Sequence, residues 1–322
     1  MIYSFYRLRR RRFKVRLIQR LLFLVIFGVL IYFGGKSLSG KLTSAATKPV
    51  ASPKPSHSPL PSQPSIKVSA SLQEAVQGAL DGSHGTYGVV VKNLKTNEGY
   101  TLNEHQVFDS ASLYKLWVMA KIYQEVQAGK LKEDDVLSQD VATLNEEFQI
   151  DPEDAEQTDG TITYSVDDAL RKMITISDNY AALLLAEKLK LSTISTFLTD
   201  NDFAESKVGT DGDSPTATAS DIALFFEKLY NGQLANAEYT QKMLDLLKAQ
   251  ALNDKIPENL PDNVQVAHKT GELDQYTHDA GIVYSPTGDY VIVIMSQSDA
   301  PELAKARLAN ISEAVYNYFN KG

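Results

Sequence analysis

The sequence predicts an α+β fold for residues 72–322. Three observations lead there: strand patterns near both ends of that stretch, helical periodicity through its middle, and an amphipathic pattern at its C-terminus. Residues 87–103, YGVVVKNLKTNEGYTLN, read as two strands around a Thr-Asn-Glu-Gly turn. Residues 279–298, DAGIVYSPTGDYVIVIMSQS, read as a second hairpin with its turn at 286–289. Helical spacing dominates between them, including 166–175, 180–190 and 219–231. In 300–319, Leu303, Ala306, Arg307, Ile311, Val315 and Tyr318 mark an amphipathic terminal helix. Strands from both ends imply an antiparallel sheet with that helix on one face.

The helix after Ser112 is expected to be central. Leu116, Trp117, Val118, Met119, Ala120, Ile122 and Tyr123 make it apolar around most of its circumference. Asp109 or Ser110 can cap its start and Gly129 can end it. Ser112 and Lys115 stand three residues apart, so they share a face. In a first helical turn, free N–H groups and the positive end of the dipole favour negative charge that develops on Ser112. A hydroxyl beside an amine is either a nucleophile with its proton acceptor or a polar stripe without chemistry.

The N-terminal part has a different composition. No acidic residue precedes Glu74, and residues 1–73 hold 13 of the 32 Lys and Arg. The remainder carries 19 basic residues against 40 acidic ones, a balance that argues against nucleic-acid binding. Residues 1–20 form a basic segment that runs into fifteen apolar residues, 21–35, LLFLVIFGVLIYFGG. This run is expected to be one transmembrane helix that anchors the chain, or a signal core if a site near 43–46 is cleaved. Either way the basic block stays inside and the bulk of the chain lies outside. The expected location is the cell membrane, single-pass, with an extracytoplasmic catalytic domain (secreted if cleaved). Residues 36–71 form a Pro/Ser-rich linker, six of the twelve prolines falling in 43–71. The absence of cysteine excludes disulfides, thiolate catalysis and Cys-metal sites.

Two further tripeptides bear on the Ser112–Lys115 pair. Ser177-Asp178-Asn179 falls between two helical runs, and Lys269-Thr270-Gly271 follows the strand pattern VQVAH. Alone, Asp178 and Asn179 read as a helix cap and Lys269 as a solvated lysine. Ser-x-x-Lys, Ser-Asp-Asn and Lys-Thr-Gly in that order form the motif set of class A β-lactamases and penicillin-binding proteins. Over essentially all of 72–322 the chain resembles the class A β-lactamase family of serine hydrolases. The resemblance implies a β-lactamase/transpeptidase-like fold: an antiparallel sheet flanked by helices, an all-helical subdomain, and a site at their junction.

The roles that fit this resemblance are specific. Ser112 attacks an amide carbonyl and becomes acylated. Lys115 takes its proton, which needs a neutral amine, and both burial and the second cation Lys269 favour one. Ser177 relays the proton to the leaving nitrogen. Asn179 holds the substrate's side-chain amide, while Lys269 and Thr270 bind its carboxylate. Gly271 lets the strand approach closely. By resemblance, the oxyanion hole uses the backbone N–H groups of Ser112 and Glu272.

The sequence departs from the family in three places. The Glu-x-x-Leu-Asn loop that positions the deacylating water has only Glu205 in ESKVG as a counterpart, in a shorter loop without the amide. Glu272 follows Lys-Thr-Gly, where its carboxylate opposes an anionic substrate unless it points away. Leu183 replaces a polar Asn, a change read as structural. No cofactor and no metal site is expected: His268 and His278 flank the motif region without ligand spacing, and 209–215 reads as a surface loop. The expected partners are a β-lactam or D-Ala-peptide substrate and the membrane, with the chain a monomer. Three functions fit: a β-lactamase, a D-alanyl-D-alanine carboxypeptidase, or a penicillin-reactive binder or sensor with little turnover.

Overall fold

A computed structural model of the chain describes residues 66–209 and 213–321. The expected anchor, the linker up to residue 65 and the middle of 209–215 lie outside the described residues. Among the described residues no helix is long and apolar enough to cross a membrane.

In chain order the first elements are β1 (Lys67–Val68), α1 (Ala70–Leu80), β2 (Thr86–Asn93), β3 (Glu98–Leu102) and β4 (Phe108–Asp109). A 3₁₀ turn (Ala111–Tyr114) then leads into α2 (Lys115–Gln127). The middle holds β5 (Val136–Asp140), α3 (Val141–Glu147), β6 (Thr161–Ser165), α4 (Val166–Thr175), α5 (Asn179–Leu189), α6 (Leu191–Asp200) and β7 (Thr216–Ala217). After α7 (Ala219–Tyr230) and α8 (Ala237–Lys248) come β8 (Gln265–Leu273), β9 (Tyr276–Tyr284), β10 (Tyr290–Gln297) and α9 (Pro301–Phe319).

The main sheet has the order β1-β3-β2-β10-β9-β8. Its N- and C-terminal strands meet at β2–β10, in register from Thr86↔Gln297 to Asn93↔Tyr290. The β-branched runs VVV and VIVI suit these central strands, and alternation splits them between two faces. Val89, Val91, Ile292 and Ile294 pack against Leu72 and Val76 of α1 and Leu308, Ile311 and Val315 of α9. Val90, Val291, Val293 and Met295 face the larger core around α2 and α7. The sheet is mixed rather than purely antiparallel, because β1 pairs parallel with β3. The chain leaves β1 through α1 before it returns as the β2–β3 hairpin, so the strands that meet run the same way.

The helical subdomain also differs from expectation. It is not all-helical: β5 and β6 form an antiparallel pair in register from Val136↔Ser165 to Asp140↔Thr161. Five-residue strands around Thr161-Ile162-Thr163 are too short to stand out against helical surroundings, and only Ile162 of that triplet is buried. A third small cluster, with Val141, Leu144, Ile162, Tyr180, Leu183 and Leu184, fills this region, so Leu183 is a packing residue.

The central helix begins later than its sequence pattern suggests. Ser112 lies in the 3₁₀ turn, and α2 starts at Lys115. The turn is set by Ala111, whose φ of 45° is a left-handed conformation that non-glycine residues rarely adopt. The Asp109 carboxylate holds it by accepting from the Ala111 N–H at 2.9 Å. Gly129, at φ 70°, ends the helix.

Candidate active site

The site lies where the 3₁₀ turn, the 176–178 connection and the Lys-Thr-Gly part of β8 come together. Ser112 is half-buried at the head of α2. Gly271 of β8 packs against it: a Cβ there would stand 3.2 Å from Ser110 O, 3.3 Å from Ala111 Cβ and 3.3 Å from Ser112 N. Only a glycine lets the strand backbone come this close. Thr270, also on β8, is buried.

Lys115 and Lys269 are both 0 % exposed. The Lys115 amine donates to Ser177 O at 2.6 Å and to Asn179 Oδ1 at 2.7 Å, with longer bonds to Ser177 Oγ (3.3 Å) and Asp178 O (3.4 Å). The Lys269 amine donates to Thr270 O at 2.8 Å and to Ser177 Oγ at 3.0 Å. Ser177 therefore bridges the two lysines. Its backbone is held at φ 59°, which turns its carbonyl and hydroxyl toward the amines. Asp178 is the N-cap of α5 and accepts from Ala181 N at 2.8 Å. Within one tripeptide, Asp178 is a cap while Ser177 and Asn179 bind lysine.

Burial sets the electrostatics. Desolvation lowers the Lys115 pKa to about 7, with Asp178 and Glu156 pulling it back up. Burial and the neighbouring Lys115 push Lys269 well below the ordinary lysine value.

The Glu272 carboxylate does not face the cluster. It pairs with Lys255 Nζ at 2.6 Å and Lys305 Nζ at 3.1 Å, and Lys255 itself is buried beside Asp254. These bonds outweigh burial and lower the Glu272 pKa. The Glu272 charge is thus paired with two lysines, and the Glu272 backbone stays next to Gly271.

Glu205 is not hydrogen-bonded to the cluster. Its Oε2 takes His105 Nδ1 and Thr218 Oγ1, each at 3.0 Å, and its backbone N–H donates to Asp221. The histidines of β8 and β9 have structural partners. His268 pairs with Asp279 at 2.9 Å. His278 bonds Asp109 O at 2.8 Å and is held neutral by burial, its pKa lowered to about 4. Among the described residues no group of three or more His, Cys, Asp or Glu is placed to hold a metal ion.

Glu156 escaped the sequence reading. Its Oε1 accepts from Asn179 Nδ2 at 2.6 Å. It sits in an acid-rich connection, IDPEDAEQTDG, that reads as solvated surface, and no local motif marks it.

A family model of the Beta-lactamase enzyme family matches residues 71–319. The chain belongs to the β-lactamase enzyme family. Solved structures of the same fold include PBP-A, with a TM-score of 0.70, 22% identity, and coverage of 81% of this chain and 100% of that one. A β-lactamase from Sphaerobacter thermophilus matches with a TM-score of 0.68 at 22% identity, over 78% of this chain and 97% of its own. The TLA-1 extended-spectrum β-lactamase matches with a TM-score of 0.68 at 19% identity, over 78% and 99%. A comparison with curated proteins found no match.

Proposed function

We propose that the chain is a membrane-tethered, extracytoplasmic serine hydrolase that opens β-lactam rings through an acyl-enzyme on Ser112. The observation that carries this reading is the shared Ser177 hydroxyl, with a buried lysine on each side and Gly271 packed on the Ser112 backbone. Support for the substrate class comes from a mutant of PBP-A, which was solved as an acyl-enzyme complex with penicillin G. Support for the tether comes from the basic block and apolar run of residues 1–35.

The chemistry follows from the hydrogen-bond count. A neutral amine has two N–H bonds and a lone pair. The two shortest bonds of Lys115, to Ser177 O and Asn179 Oδ1, take both N–H groups of the neutral form. Its lone pair is then available for the Ser112 proton once substrate draws the side chains together, a tightening common on substrate binding. As Ser112 Oγ bonds to the carbonyl carbon, charge on the carbonyl oxygen meets the N–H groups of Ser112 and Glu272. With the Ser112 proton on it, Lys115 has a third N–H that reaches the Ser177 hydroxyl, which accepts from both lysines and keeps its own O–H to donate to the leaving nitrogen as the C–N bond breaks. The proton passed to Lys115 then returns through Ser177. Lys269 and Thr270 hold the substrate carboxylate.

Deacylation needs an activated water, and the engagement of Glu205 with His105 and Thr218 favours a second reading. In it, the same acylation machinery serves a D-alanyl peptidase and β-lactams remain bound. Mixing the full-length protein in detergent with a chromogenic cephalosporin and with a D-Ala-D-Ala peptide tests the two. Sustained cephalosporin turnover supports the hydrolase. A single burst together with peptide cleavage favours the peptidase, and no reaction with either removes both.

A further inference from the structure

Asn179 divides its amide between two partners. Its Oδ1 accepts from Lys115 at 2.7 Å, and its Nδ2 donates to Glu156 Oε1 at 2.6 Å. A primary amide has two N–H bonds, so one remains for a ligand. Glu156 is exposed, and among the described residues no lysine, arginine or histidine makes a direct ion pair with it, although its charge acts on Lys115. Its position is built rather than incidental. The next residue, Gln157, is held at both backbone polar atoms: its N–H donates to Tyr180 Oη at 3.1 Å, and its carbonyl accepts from Tyr180 Oη at 2.7 Å and Asn145 Nδ2 at 2.8 Å. Tyr180 is buried and directly follows Asn179 on α5, so one helix fixes both the amide and the carboxylate beside it.

We propose that Asn179 and Glu156 form a specificity element for an α-aminoacyl group. This deepens the reading of the site as a Ser112 acylation centre and rests on it. The amide carbonyl of such a substrate takes the remaining Asn179 N–H, and the adjacent ammonium pairs with Glu156. A neutral acylamide satisfies only Asn179, and an α-carboxylate meets like charge. The pair is solvent-exposed, so the preference is modest and weakens with salt.

Three penicillins with one common nucleus test this: ampicillin with an α-amine, benzylpenicillin with no α-charge, and carbenicillin with an α-carboxylate. Acylation rate constants of the full-length protein in detergent are measured by intact-protein mass spectrometry at pH 6.5, where an α-amine is mostly protonated. The expected order is ampicillin, benzylpenicillin, carbenicillin, with steps of about 2- to 5-fold that shrink as salt is added. In Glu156→Gln the three rates converge relative to benzylpenicillin. Acylation with no charge order in the wild type, or an order that persists in Glu156→Gln, overturns the specificity element alone. Failure of all three penicillins to acylate overturns the underlying reading as well.

Discussion

Lys115 and Lys269 converge on a single oxygen, the Ser177 hydroxyl, from 3.3 and 3.0 Å. Two buried amines this close cannot both be protonated cheaply, and each helps keep the site short of positive charge. In the proposed reaction these three groups serve as a neutral base, an anchor for a substrate anion, and a hydroxyl that connects them.

The pH dependence of acylation follows from Lys115. Burial lowers its pKa to about 7, so the amine is protonated and useless as a base below that value and available above it. Acylation by benzylpenicillin is expected to rise about tenfold per pH unit up to about pH 7 and then level off. Glu156 raises the Lys115 pKa, so Glu156→Gln shifts the midpoint to lower pH. A midpoint near the ordinary lysine value in a stopped-flow pH profile would place the proton acceptor elsewhere. The same shift opposes folding at neutral pH. Between about 7 and 10.5 the unfolded chain binds the extra proton, and this penalty is relieved as pH rises.

Gly271→Ala tests the close approach of β8. The added methyl would lie 3.2–3.3 Å from Ser110 O, Ala111 Cβ and Ser112 N, too tight without movement of the turn. The expected loss of stability is about 1–3 kcal/mol. Acylation is expected to fall at least about tenfold, because misplacement of a reacting group by a fraction of an ångström is costly. Denaturant unfolding and penicillin labelling of one preparation measure both, and unchanged labelling would show that the strand need not touch the turn.

Glu205 is expected to be a loop residue. Glu205→Gln should leave both the acylation burst and the later turnover unchanged. Its effect should appear at His105, whose pKa is raised chiefly by the hydrogen bond it donates to Glu205 and should fall back in the variant. An NMR titration of His105 and a steady-state assay separate the outcomes. Suppressed turnover with an intact burst would make Glu205 the water-activating base.

The tether is tested on intact cells. Added protease should remove the catalytic domain and spare a fragment with the basic N-terminus, as expected for an inside-facing positive segment. A domain that stays protected until the cells are lysed would contradict it.

Much of the fold was legible because burial follows period. Alternating Val89, Val90 and Val91 announce a strand buried on two faces, and the last helix pattern, 300–319, is found at Pro301–Phe319. The β5–β6 pair was not legible, since five residues of weak alternation carry less signal than the helices around them. Nor was the delayed start of α2, which depends on a single left-handed residue, Ala111. In the site, the motif tripeptides pointed to Ser177 and Lys269, but not to what surrounds them. The ion pairs of Glu272 with Lys255 and Lys305, and the bond from Asn179 to Glu156, join residues that only tertiary folding brings together.

The central claim is that Ser112 is the acylated atom's residue, with Lys115 as its base. The most direct measurement is intact-protein mass spectrometry of the full-length chain after mixing with benzylpenicillin, followed by peptide mapping. The account predicts one penicilloyl adduct on the peptide that contains Ser112, none in Ser112→Ala, and labelling slowed about 10²–10⁴-fold in Lys115→Ala. An adduct that maps to Ser110 or Ser177, or that persists in Ser112→Ala, would contradict it.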